Sequence, residues 1–153
     1  PEIKYFFGKV TMYPHFNTEA RNHILYFMNR MFNDPEKLAW PLNPLKTDAD
    51  TAAMDATYNG VDFKENYKIL SRIVRENGAN IPPLINAYMG LSPSMKSFGT
   101  AVNTHFGDVE ETSIMITIED VYENKVERHI SSYLNFLKIR LPKTNFHLFK
   151  KRN

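Results

Sequence analysis

The stretch Ile3-Lys4-Tyr5-Phe6-Phe7-Gly8-Lys9-Val10-Thr11-Met12-Tyr13 constrains the fold most. It is β-branched and aromatic, and Tyr13-Pro14 stops it, so it reads as a strand. Its centre, Tyr5-Phe6-Phe7, is apolar on both faces. A strand of that kind lies inside a sheet that is covered on both sides, with a neighbour along each edge. The rest of the chain must supply those neighbours and the covering helices.

Helix comes next. Asn17 is a plausible N-cap, and Ile24, Phe27, Met28 and Met31 follow the i, i+3, i+4, i+7 spacing of one helical face. Asn33-Asp34-Pro35 ends it. Residues 34–61 hold Pro35, Pro41, Pro44, Asp48, Asp50, Asp55 and Asn59-Gly60, which predicts a long loop with one short helix near 51–58. Loops of that length are usually functional or mobile. The lone Trp40 is expected to anchor this loop to the core, with ligand stacking as the alternative. A second long helix is expected over 63–77, with Phe63, Tyr67, Leu70 and Val74 on one face and Gly78 beyond its end. Pro82-Pro83 opens a third, short helix that closes at Gly90. Residues 97–106 and 112–118 read as strands joined by a hairpin link at 107–111. A last helix over about 120–137 carries Val126, Ile130 and Leu137 inward. The order β-α-loop-α-α-β-β-α predicts an α/β (α+β) domain with a small mixed sheet of three strands and flanking helices.

Composition narrows the chemistry. A chain of 153 residues with 42% apolar residues can bury one core. It has no cysteine, which excludes a disulfide scaffold, a cysteine nucleophile and a thiolate metal site. No apolar run is long enough for a membrane span, and no basic region followed by an apolar stretch opens the chain. Cytoplasmic residence is the expectation. Residues 1–127 hold 12 Lys/Arg against 17 Asp/Glu, while residues 128–153 hold seven Lys/Arg and no acid. A mildly acidic body thus carries a basic tail, which either favours anionic partners or stands as a solvated terminus.

The six glycines lie at least eight residues apart, so neither G-x-G-x-x-G nor a Walker-type loop exists. Pyrophosphate binding through a glycine-rich turn is not encoded. The five histidines form no H-x-H, H-x-x-x-H or H-E-x-x-H pair, and no metal is expected. His105 with Asp108, Glu110 and Glu111 is one cluster of hard groups; it also reads as a polar turn facing water. His105 and Glu110 sit at strand ends, where acid–base groups are often placed. The serines lack a nucleophile-elbow context. In the tail, Phe146, Leu148 and Phe149 lie beside Lys150, Lys151 and Arg152. That mixture suits an anionic membrane surface. With an acidic body and no binding motif, nucleic acid is not an expected partner.

Three segments go further. Tyr5-Phe6-Phe7-Gly8-Lys9-Val10-Thr11-Met12, Ile81-Pro82-Pro83-Leu84-Ile85-Asn86-Ala87-Tyr88-Met89-Gly90-Leu91, and Phe98-Gly99-Thr100-Ala101 followed by Phe106-Gly107-Asp108-Val109 occur in this order. Together they resemble the bacterial hemolysin-like branch of the GNAT acyltransferase superfamily. That branch includes N-acyltransferases that take acyl chains from acyl carrier protein to make amino-acid lipids, and it is similar to acyl-homoserine-lactone synthases. The resemblance covers residues 1–131, and Pro-Pro-Leu-Ile-x-x-Tyr-x-x-Leu is its most specific part.

The resemblance implies the C-terminal half of a GNAT-like fold over 1–137, followed by the basic tail 138–153. The opening strand would be the fifth of that fold. The hairpin strands would be the sixth and seventh, with the seventh beside the fifth. The implied reaction is acyl transfer from acyl carrier protein or acyl-CoA, as donor substrate, to the amine of a small amino acid in membrane-lipid synthesis. No tightly bound cofactor is implied. His105, Glu110 and Tyr88 are the candidates for proton handling, and Tyr5, Phe7, Phe98 and Phe106 for the acyl-chain wall. Expected partners are acyl carrier protein, the inner face of the membrane, and a second copy paired through the open strand edge. A non-catalytic membrane- or protein-interaction domain is the alternative.

Overall fold

The computed structural model describes residues 3–126. Strand β1 (Tyr5–Met12) leads into α1 (Thr18–Met31), α2 (Thr51–Thr57), α3 (Phe63–Glu76) and α4 (Pro83–Met89). Strands β2 (Lys96–Asn103) and β3 (Val109–Thr117) follow, then a 3-10 turn at Ile118–Asp120 and α5 (Glu123–Val126). The sheet order is β1-β3-β2, and β3 pairs antiparallel with both neighbours. The expected mixed sheet is therefore an antiparallel one. β1 and β2 do run in the same direction, but β3 stands between them, so no parallel pair forms. The seventh strand of the resemblance, β3, lies beside the fifth, β1.

The helices form where their caps and periodicity direct. Asn17 Oδ1 accepts from the Ala20 N–H at 2.9 Å, and Ala20, Ile24, Phe27 and Met28 make one buried stripe on α1. On α3, Asp62 accepts from the Glu65 N–H at 2.8 Å while the Glu65 carboxylate reaches back to the Val61 N–H at 3.0 Å. Pro83 opens α4 at the first helical position, where no N–H is needed. These helices cover one face of the sheet. That face carries Val10 and Met12 of β1 with Ile114 and Ile116 of β3, all in the core with Ile24, Phe27 and Leu70. Each such aliphatic side chain contributes roughly 1.5–3 kcal/mol on burial.

β2 carries a bulge. Ser97 pairs with Ile114 and Thr100 with Thr112, so Phe98 and Gly99 together stand opposite Ser113. Outside the bulge, the backbone of 43–45 closes the free edge of β2. Pro44 bridges Ala101, the Leu45 N–H donates to Thr100 O at 2.9 Å, and the Val102 N–H donates to Asn43 O at 3.1 Å.

Four expectations need correction. β1 has one neighbour among the described residues, β3, where two were expected, and Tyr5, Phe6 and Phe7 are 57%, 46% and 61% exposed. Apolar content marked the strand; it could not place it within the sheet. Trp40 is not an anchor, being 70% exposed. Backbone pairing at 43–45 and the ion pairs of Lys96 with Asp34 and Glu36 hold the loop instead, leaving the indole outside. The hairpin link is 104–108, because β2 ends at Asn103 and β3 begins at Val109. The last helix begins at Glu123 rather than near 120. Its residues from 127 onward, with Ile130 and Leu137, and the basic tail lie outside the described residues.

Candidate functional site

Glu110 is the second residue of β3, on the helix-covered face, opposite Met12 of β1 and Val102 of β2. It is 7% exposed. A buried carboxylate needs a partner, and α1 supplies one from 89 positions away: Arg21 Nη1 lies 2.5 Å from Glu110 Oε1. The guanidinium also donates through Nε and Nη2 to Asn22 Oδ1 at 3.1 and 2.9 Å. The second carboxylate oxygen, Oε2, is buried without a hydrogen-bond partner. A carboxylate held at one oxygen, with the other one buried and unpaired, has acceptor capacity left for a proton.

Two residues near this carboxylate reach a cleft at the surface. Asn22 and Thr100 both line a cleft of about 660 Å3 bounded by α1, α2, the 33–50 loop and the β2 bulge. Asn22 leads through Arg21 to Glu110. Thr100 shares a 2.7 Å hydrogen bond with Thr112, which is two residues from Glu110 on the same face of β3. At the outer wall of the cleft, Arg30 Nη1 lies 2.7 Å from Asp55 Oδ1, and the Tyr26 hydroxyl bonds the same carboxylate. Burial is the main cause that raises the Tyr26 pKa, with the Asp55 hydrogen bond adding to it and Arg30 opposing.

Behind α1, His23 Nδ1 lies 3.0 Å from the Tyr58 hydroxyl, and His23 Nε2 lies 3.4 Å from Glu19. Tyr58 is fully buried, and desolvation pushes its hydroxyl well above the usual tyrosine range. This pair fastens the end of α2 to α1, the two helices that border the cleft.

The three residues expected to handle protons are not brought together. Tyr88 of α4 stacks on Phe6 at 6.0 Å, with its hydroxyl 3.4 Å from where a Cβ on Gly8 would sit. Gly8 and Met12 are four residues apart, about 13 Å along a strand. Tyr88 and Glu110 therefore occupy opposite ends of the covered face. His105 lies exposed on the hairpin turn, where its backbone N–H donates to Asn103 Oδ1 at 3.2 Å. Of the four wall candidates, Phe7 and Phe98 stack at 5.9 Å. Tyr5 shares their face, two residues from Phe7. Phe106 stands exposed in the turn, outside this set. Among the described residues no group of three His, Cys, Asp or Glu is placed to hold a metal, so the acids around His105 form no ligand cluster.

Arg21, Asn22, His23 and Tyr58 did not stand out in the sequence. One signal was available for the first. Glu110 alternates in phase with Thr112, Ile114 and Ile116, the covered side of β3. A carboxylate on that side calls for a cation from the covering helix.

No family model matches the chain, and no solved structure matches it. The chain is 51% identical over 134 residues to a protein of Phocaeicola vulgatus named glycine N(alpha)-acyltransferase. It is 49% identical over 134 residues to a protein of the same name from Bacteroides thetaiotaomicron. Both alignments take in 88% of this chain, which spans 41% and 40% of the length of those relatives. Over most of its residues, then, the chain is similar to about two-fifths of proteins named for acyl transfer to the nitrogen of glycine.

Proposed function

We propose that this chain is part of a GNAT-type N-acyltransferase of the hemolysin-like branch. In this reading a fatty acyl group moves from a carrier-borne thioester to the amine of glycine or another small amino acid, toward an amino-acid lipid. The observation that carries the reading is about 50% identity, over 134 residues, to two proteins named glycine N(alpha)-acyltransferase.

The chemistry sets the roles. A small amino acid arrives as an ammonium, which cannot attack a carbonyl until it loses a proton. Glu110 Oε2 accepts that proton, with Arg21 holding the other oxygen. The amine nitrogen then bonds to the thioester carbon, the C–S bond breaks, and the sulfur leaves as a thiol with the second amine proton. The sum is one amide, one thiol and one released proton. The exposed rings of Tyr5 and Phe7, with buried Phe98 stacked on Phe7, lie on the other face of the sheet from Glu110 and support the far part of the acyl chain. The free edge of β1 pairs with a further strand, from the longer enzyme or from a second copy. An acyl amino acid is amphipathic, which fits release at the inner face of the membrane.

The test is made on the full-length protein with palmitoyl thioesters of acyl carrier protein or coenzyme A, plus glycine, with N-palmitoylglycine read by mass spectrometry. Product is expected with wild type, and Glu110→Gln should lower kcat by 100-fold or more. Absence of any acyl amide from either donor with glycine, serine or ornithine overturns the reading.

A further inference from the structure

Helix α3 places four cations in one row. Lys64, Lys68, Arg72 and Arg75 are all exposed. At 3.6 residues per turn they fall within an arc of about 80° and span about 16 Å of helix. Residues 1–127 hold 12 Lys/Arg, so a third of them stand on this one face of an otherwise acidic body. Elsewhere Lys9, Arg21, Arg30 and Lys96 are each neutralised by a carboxylate across the fold. On the row, among the described residues, the one ion pair is Arg72 with Glu76, at 3.8 Å and two-thirds exposed. Tyr67, Ser71, the three cations Lys68, Arg72 and Arg75, and one acid, Glu76, border a shallow depression of about 370 Å3.

The opposite side of α3 is already used. Leu70 and Val74 are buried in the core, and Phe63 and Tyr67 pack on Phe27 of α1. No apolar stripe is left on this helix to enter a bilayer, which separates it from an amphipathic membrane helix. What remains is a straight row of charge, the complement of an acidic helix on another protein. The row is also connected, through α4, to the covered face of the sheet. The Tyr67 hydroxyl donates to Asn86 Oδ1 of α4 at 2.5 Å, and Tyr88 of α4 stacks on Phe6 of β1.

We propose that the Lys64–Lys68–Arg72–Arg75 row is the docking surface for the acidic carrier protein that delivers the acyl thioester. This rests on the acyltransfer reading above and adds the place of contact. The row gathers four of the 12 Lys/Arg of a mildly acidic body on one helix face, so an acidic carrier is drawn to it, and the row sets the carrier's orientation as well as its rate of encounter.

The experiment compares full-length wild type with Lys68→Glu/Arg72→Glu and, separately, Lys64→Gln/Arg75→Gln. Two donors are used: palmitoyl-acyl carrier protein and the uncharged palmitoyl-pantetheine. Expected is a fall of at least tenfold in kcat/KM for the carrier-borne donor, through KM, and unchanged turnover of the pantetheine thioester. The same variants should lose the salt dependence of the carrier reaction. Titration with holo acyl carrier protein supplies a readout without chemistry, and binding by wild type alone supports the docking surface even where no acyl amide forms. An unchanged KM for the carrier overturns the proposal while acyl transfer stands. Equal losses with both donors overturn it in favour of a structural role. Variant-sensitive binding to phosphatidylglycerol vesicles without carrier binding overturns it in favour of a membrane contact.

Discussion

Replacing Gly99 tests how the bulge, the 33–50 loop and the cleft hold one another. Gly99 has φ +87°, in the region that side chains with a Cβ rarely adopt, and a Cβ there meets Pro41 Cδ at 3.3 Å. Two costs therefore add. The backbone strain is about 1–3 kcal/mol. The contact is a separate cost, because Pro41 is a rigid ring on a segment pinned to β2 three residues later. Gly78 separates the two, since its φ is +70° and nothing lies within 4 Å of its added Cβ. Gly78→Ala should thus show the strain alone, about 1 kcal/mol. Gly99→Ala should exceed it by about 1 kcal/mol. Gly99→Val, which adds branching at Cβ and overpacks the ring, should cost about 3–4 kcal/mol. That is a large part of a typical domain's stability of about 5–15 kcal/mol. Urea unfolding followed by circular dichroism gives the values, and the fluorescence of the lone Trp40, next to Pro41, reports the loop. A cycle with Pro41→Ala isolates the contact, with an expected coupling of about 0.5–1 kcal/mol. Equal losses for Gly99→Ala and Gly78→Ala, or no coupling to Pro41, would refute the reasoning.

Three further outcomes are expected. Arg21→Ala leaves a buried carboxylate with no partner and should destabilise by about 3–5 kcal/mol, whereas Arg21→Met with Glu110→Leu should recover most of it; equilibrium unfolding reads both. Tyr58→Phe removes the partner of His23 Nδ1 and should cost about 1–2 kcal/mol. Burial raises the folded-state pKa of Tyr58, so its contribution is full below the unfolded value of about 10 and is lost as pH rises through the folded one; the variant should show a shallower alkaline limb in thermal melts. Desolvation works to raise the Asp34 pKa, but the Leu38 N–H and the Lys96 ammonium outweigh it and hold the group below the usual carboxylate range. Its contribution is therefore present above about pH 4 and lost as pH falls through the folded value, and Asp34→Asn should remove that part of the acid dependence of Tm.

Local signals carried much of the fold. Asn17, the apolar stripe of α1 and Pro82-Pro83 act within a few residues, and α1, α3 and α4 formed where those residues directed. The apolar run of β3 likewise marked the strand. What was not legible depends on pairing at a distance. Tyr5-Phe6-Phe7 has the composition of an interior strand, yet composition says nothing about whether a second neighbour is present. Trp40 looked like an anchor because indoles usually are, while the loop was held by main-chain hydrogen bonds that no side chain announces. In the candidate site, Glu110 was legible as a strand-end acid. Its partner Arg21 was not, since the two meet only when α1 packs across the sheet. His105 was grouped with it as a second strand-end group and Tyr88 through the family resemblance, and the fold set them apart.

The two edges of the sheet are unequal in a way that bears on the rest of the reading. At β2, the Val102 N–H and the Thr100 carbonyl already pair with the 43–45 segment. Adding a strand there means breaking bonds worth about 0.5–1.5 kcal/mol each and displacing Pro44, which cannot donate in return. At β1, among the described residues, no segment covers the edge, and three aromatic side chains stand part-exposed at its start. A growing sheet therefore extends past β1 and not past β2. The same strand carries Phe7, stacked on Phe98 on the open face, and Phe6, stacked on Tyr88 on the covered face. Any chain that pairs with β1 comes to lie against both rings. Under the proposed acyltransferase reading, an acyl-chain wall built on Tyr5, Phe7 and Phe98 is then complete only when the edge of β1 is occupied.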